Sequence, residues 1–191
     1  MPVVAIVGSR QASELGLARA RRLARFLSDH RVIVMSGLAE GIDTAAHRTT
    51  IDSGGRTIAV LGTPLDECFP AKNRALQHEI MESHLAVSQF ASGARTGRHS
   101  FPLRNRTMAL LSDATVIVEA RDGSGTLHQG WEALRLGRML WITKSLFENP
   151  ALRFPRELEA YGAEILDESS LNLLLDQLQR DRRDRAAEVP F

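Results

Sequence analysis

The sequence predicts an α/β protein: a doubly wound, mostly parallel sheet in a Rossmann-like three-layer sandwich. Three observations carry that expectation. Short β-branched runs alternate with segments of helical period from end to end of the chain. Alternation of this kind means parallel strands joined by right-handed crossover helices. Small residues also follow the strands: Gly8-Ser9, Ser36-Gly37, Gly62-Thr63 and Gly123-Ser124-Gly125. Ligands of such sheets bind beyond the carboxyl ends of the strands, where glycine lets the backbone come close. Finally, 191 residues at 43% hydrophobic and 25% charged suit one globular domain.

Each element has its own justification. Val3–Val7 is an apolar, β-branched run and reads as a buried strand. Leu15–Leu27 places Leu15, Ala18, Leu23, Phe26 and Leu27 near helical spacing, with Ser13 as N-cap. Val32–Met35 is the second strand, and a helix over 41–53 stops at Gly54-Gly55. Thr57–Leu61 is the third strand, Ala71–Ser83 a helix opened by Phe69-Pro70, and Leu85–Ser88 a short strand. Gly93–Ser100 is a loop, and Pro102 suits the first turn of a helix over 102–111. Thr115–Glu119 and Met139–Thr143 are strands on either side of a helix over 126–136. Phe154–Ala160 is a helix and Glu164–Leu166 a last strand. The core is therefore expected over 1–166, with a leucine-rich helical tail over 167–191. Leu171, Leu174, Leu175 and Leu178 form an apolar face on that tail, and Arg180 to Arg185 a solvated, fraying end.

Several function classes drop out. No apolar run approaches the ~18 residues that cross a bilayer. The opening MPVVAIVGSR lacks a basic leader and reads as a strand, not a signal peptide. The single cysteine, Cys68, excludes an internal disulfide framework and a Cys-cluster zinc site, so a reducing, cytoplasmic setting is expected. The six histidines show no metal-ligand spacing, and no cofactor is expected. G-x-G-x-x-G and Walker A loops are both absent, as is the G-x-S-x-G elbow of hydrolases. His47 reads as a structural histidine. Asp43 reads as a carboxylate that steadies its turn or pairs with Arg10.

Charge points to an anionic ligand. The formal net charge is +1, but Ser83 to Ser112 contains no acid while holding Arg95, Arg98, Arg104 and Arg106. The opening through Ser13 is also free of acids and holds Arg10. Only Lys72 and Lys144 are lysines, and guanidinium is the better planar phosphate ligand. Within Arg98-His99-Ser100-Phe101-Pro102-Leu103-Arg104-Asn105-Arg106, one aromatic stands among three arginines. A ring to stack on a base and cations for neighbouring phosphates are what single-stranded nucleic acid requires. Phe101 as a hydrophobic staple at the helix entry is the plainer alternative.

On these residues the sequence resembles the DprA/Smf DNA-processing family. The matching blocks are Ile6 to Arg10, Ser36 to Asp43 with Ala45-Ala46-His47, Gly54 to Gly62, Phe69 to Asn73, Phe101 to Arg106, Val116 to Ala120 and Ser124 to Leu127. The resemblance implies a Rossmann-like core that binds single-stranded DNA, usually as a dimer, and hands it to the recombinase RecA in natural transformation. It implies phosphate contacts from Arg10 and Arg98, a base stacked on Phe101, and a basic pocket shaped by Arg104, Asn105 and Arg106. With the glycine turns, the expected binding set is Gly8, Ser9, Arg10, Ser36, Gly37, Arg98, Phe101, Arg104, Asn105, Arg106, Ser124 and Gly125, with no catalytic residue. The chain departs from the family at Ser88-Gln89, where members carry Ser-Glu, and these 191 residues leave no room for the flanking helical and winged-helix domains of many members.

The rival expectation is a nucleotide-hydrolysing enzyme. The lysine-decarboxylase-like (LOG) phosphoribohydrolases share the fold and carry a G-G-x-G-T-x-x-E turn, which Gly123 to Thr126 resembles. Here Gln129 stands at the acidic position, and an amide is neither acid nor base near neutral pH. Glu132 and Glu119 are the substitute carboxylates, although Glu119 reads more simply as an acceptor in a strand-end turn.

Overall fold

A computed structural model describes residues 1–188, so the last three residues of the expected tail, 189–191, lie outside the described residues. Seven strands form one sheet: β1 (Val3–Gly8), β2 (Ile33–Ser36), β3 (Thr57–Leu61), β4 (Leu85–Ser88), β5 (Ala114–Glu119), β6 (Met139–Thr143) and β7 (Glu164–Leu166). Their spatial order is β4-β3-β2-β1-β5-β6-β7, and every pairing is parallel. The chain winds outward from β1 to β4, then returns to lay β5 against the other side of β1. The strand order therefore reverses between β1 and β5, where a doubly wound sheet opens a crevice at its carboxyl edge.

The helices are α1 (Glu14–Asp29), α2 (Ile42–Asp52), α3 (Arg74–Ser83), α4 (Ser100–Leu111), α5 (Thr126–Arg135), α6 (Lys144–Phe147), α7 (Phe154–Glu159) and α8 (Leu171–Glu188). Alternate residues of each strand feed opposite faces of the sheet. Val4 and Ile6 join Leu23, Leu27, Ala46, Val116 and Trp141 in one core. Ala5 and Val7 join Met35, Val60, Met108, Ile117 and Phe154 in the other. Leu38, Ala59, Leu61, Leu76 and Ile80 make a third cluster beneath α3. Leu174 and Leu178 of α8 are fully buried in the first core, so the apolar face of the tail docks on its own domain.

Ser13 caps α1 as expected, its hydroxyl accepting from the Gly16 amide at 3.0 Å. Other boundaries move for local reasons. Helix α4 begins at Ser100, two residues ahead of Pro102, because a first-turn proline lacks only an amide that would have no helical partner. The segment after Pro70 opens with a 3-10 turn, Ala71–Asn73, before α3. The single turn α6 was not foreseen; it is too short to show a period.

Candidate nucleic-acid interface

At the β1/β5 crossover lies a cavity of about 460 Å³. Its floor is the turn after β1, Gly8-Ser9-Arg10, and the turn after β5, with Arg121, Ser124, Gly125 and Thr126. These two turns are tied together: the Ser9 amide donates to the Glu119 carbonyl at 2.7 Å and the Thr126 hydroxyl to the Gly8 carbonyl at 3.3 Å. Helix α5 opens at the rim, and its first-turn amides favour an anion there. Helix α4 closes the opposite wall with Phe101, Pro102, Arg104 and Asn105.

Phe101 is half-buried and organises that wall. The Arg10 guanidinium carbon stands over its ring, 5.2 Å from the centroid, and that of Arg104 lies at 5.9 Å. The ring fits because residue 62 has no side chain: a Cβ there would meet Phe101 Cδ1 at 2.8 Å. Arg10 and Arg121 are exposed cations at the rim. Among the described residues, Asp43 is the one acid lining the cavity, and it is 5% exposed.

Arg104, expected to hold a phosphate, lines the cavity but is anchored in the fold. It is 6% exposed, and its Nη1 donates to the carbonyls of Gly37 and, at 3.0 Å, Val60. Its Nε donates to Asn105 Oδ1 at 3.0 Å. The guanidinium occupies the space that a Cβ on Gly37 would take, so only glycine admits it. The cation whose charge acts on the Asp43 carboxyl is Arg104. Burial pushes the Asp43 carboxyl up, while Arg104 and the Ala39 amide, 3.2 Å away, pull it back. The turn between them holds Leu38 at φ 61°, a left-handed conformation that L-residues rarely adopt and that clusters at functional sites.

His47, expected to be structural, is fully buried. Thr57 Oγ1 donates to the Val34 carbonyl at 2.9 Å, so the 2.7 Å contact with His47 Nδ1 requires the proton on Nδ1. Burial lowers the His47 pKa to about 3, against a Ser36 backbone contact that favours the charged form.

Residues 1–178 match the family of DNA recombination-mediator protein A. The chain belongs to that family. The DNA processing protein DprA of Streptococcus pneumoniae is 42% identical over 137 residues, which are 72% of this chain and 48% of that relative. Its X-ray structure superposes with a TM-score of 0.79 at 35% identity, covering 87% of this chain and 58% of the other. DNA processing protein A from Helicobacter pylori, solved for its single-stranded DNA binding mode, gives a TM-score of 0.81 at 26% identity over 92% of this chain and 81% of that one. The chain spans about half the length of the curated DprA and Smf relatives it matches.

Of the twelve expected site residues, this DprA-family fold brings Gly8, Ser9, Arg10, Phe101, Arg104, Asn105, Ser124 and Gly125 to the crossover cavity. Gly37 borders a smaller hollow beside it. Three lie elsewhere. Ser36 is buried and its hydroxyl donates to the Ile6 carbonyl at 2.7 Å. Arg98 is exposed on the turn ahead of α4, outside the cavity lining, and Arg106 of α4 reaches Glu132 of α5, 3.9 Å away. Gln11, Arg121, Thr126 and Gln129 line the cavity without having been singled out as binding residues. Arg121 had a readable signal: a cation two residues past a strand at the carboxyl edge. Among the described residues, no three His, Cys, Asp or Glu side chains gather to hold a metal ion, and no helix is long and apolar enough to cross a membrane.

Proposed function

We propose that this chain binds single-stranded DNA without chemical conversion and acts as a recombination mediator. The observation that carries the reading is the convergence of Arg10, Arg121, Phe101 and two glycine turns on one cavity at the sheet's crossover point. Phosphates sit at the turns and the rim arginines, and a base meets Phe101. The Helicobacter pylori relative and its single-stranded DNA support the same polymer.

Three carboxylates speak against the phosphoribohydrolase alternative. Glu132 is drawn to Arg106 and Arg135, and Glu119 accepts from the Ser13 amide at 2.9 Å. Asp43 lies buried under Arg104. At the position of the expected acid, Gln129 is buried with its carboxamide 3.2 Å from Thr115 Oγ1.

Handover to RecA, homodimerisation and a cytoplasmic setting extend this reading; their support is family membership and the single cysteine. The deciding experiment titrates labelled single-stranded and duplex oligonucleotides, with AMP and other mononucleotides as competitors. Single-strand binding that mononucleotides do not displace is the expected result. Release of free base from a nucleoside monophosphate would replace this reading with the enzyme.

A further inference from the structure

A second aromatic ring stands beside Phe101. Phe69 is 52% exposed, with its ring centroid 5.5 Å from that of Phe101 and the ring planes at 46°. It borders a hollow of about 60 Å³ that shares Arg10, Phe101 and Arg104 with the crossover cavity, so the two spaces adjoin. Glu40, the acid on this hollow, is paired with Lys72 Nζ at 2.5 Å, which offsets its charge.

The loop bearing Phe69 is held on both sides. Buried Gln77 donates to the carbonyls of Leu65 at 3.1 Å and Glu67 at 3.0 Å. Buried Asn73 donates to the Leu38 carbonyl and the Thr44 hydroxyl, each at 2.9 Å, tying the loop to the turn that carries Gly37. An aromatic ring fixed in solvent next to a cationic rim is what base stacking uses, because every base has a π-face.

We propose that Phe69 is a second base-stacking platform, receiving the nucleotide adjacent to the one at Phe101. This rests on the single-strand reading above and gives the strand a direction: from the crossover cavity, across Phe101, to the loop before α3. Since the rings are inclined at 46°, bases lying on them are splayed apart, which a single strand permits and a paired duplex does not.

The test measures binding of labelled oligo-dT, and of a matched strand carrying abasic sites, to the parent, Phe69→Ala and Phe69→Trp. Phe69→Ala should weaken oligo-dT binding by about tenfold, within the usual worth of one base stack. Its salt slope and thermal unfolding should match the parent's, Phe69→Trp should keep parental affinity, and the Ala defect should vanish on the abasic strand. Parental affinity in Phe69→Ala, or an equal loss on the abasic strand, overturns the platform while leaving single-strand binding intact. A parent that binds no oligonucleotide removes both readings.

Discussion

Arg104 reaches from α4 across the carboxyl edge of the sheet to donate to the carbonyl of Gly37, at the end of β2. The same nitrogen meets the Val60 carbonyl at 3.0 Å. One buried cation therefore joins two strands and a helix at the edge of the binding cavity, and it lies close enough to Asp43 to oppose its charge. Replacing it removes the donor to two carbonyls and the cation that acts on the buried Asp43 carboxyl. Arg104→Ala should destabilise the fold by about 3 kcal/mol, the usual cost of breaking a buried charge pair. Denaturant unfolding measures this. Unchanged stability with a flatter salt slope for DNA binding would return the side chain to phosphate contact.

Gly37→Ala tests the same joint from the other side. A Cβ at this position falls on the Arg104 guanidinium, so the arginine must leave its seat. The double variant with Arg104→Ala should lose less than the sum of the two single losses, by at least about 0.5 kcal/mol, because the residues share one interaction. Additive losses would mean that the glycine acts through its own backbone.

The salt dependence of binding should instead follow the exposed cations. Arg10→Ala and Arg121→Ala are each expected to reduce the slope of log K against log salt by ~0.7, the value for one phosphate contact on a single strand. Titrations at several salt concentrations provide the slopes. A variant that keeps the parental slope places its arginine off the phosphate path.

His47 links stability to pH. Its folded pKa of about 3 lies below the ordinary 6.5, so below pH 6.5 the unfolded chain takes up a proton that the folded chain refuses. Stability present above that value is lost as pH falls, by ~1.4 kcal/mol per unit. Raised Asp43 works in the opposite sense, so the comparison is with a variant rather than with a blank. Unfolding measured between pH 7 and pH 5 should fall less for His47→Gln than for the parent. Parallel curves would remove the histidine from the linkage.

Much of this architecture was legible because apolar runs between turn residues declare themselves. Thr57–Leu61, Met139–Thr143 and Glu164–Leu166 occupy the residues expected of them. The glycine turns were legible for the same reason, and eight expected residues converge on the cavity they frame. Arg104 was not. An arginine in an acid-free window looks like a surface cation, and α4 disguises its inner face by carrying apolar residues all round: Met108 and Ala109 are buried while Leu103 and Leu110 are exposed. With no clear stripe, periodicity cannot say which way residue 104 points. Phe69 was hidden differently. Beside Pro70 and ahead of a helix it looks like an element boundary, and only the pairing with Phe101 gives it a neighbour across the cavity rim.

The guanidinium seated over Gly37 also couples the sheet to the cavity wall. Its acceptors come from the ends of β2 and β3, which are neighbours in the sheet. The aromatic wall of the cavity and the pairing of β2 with β3 thus share one side chain, so a disturbance of either strand end reaches Phe101 through Arg104.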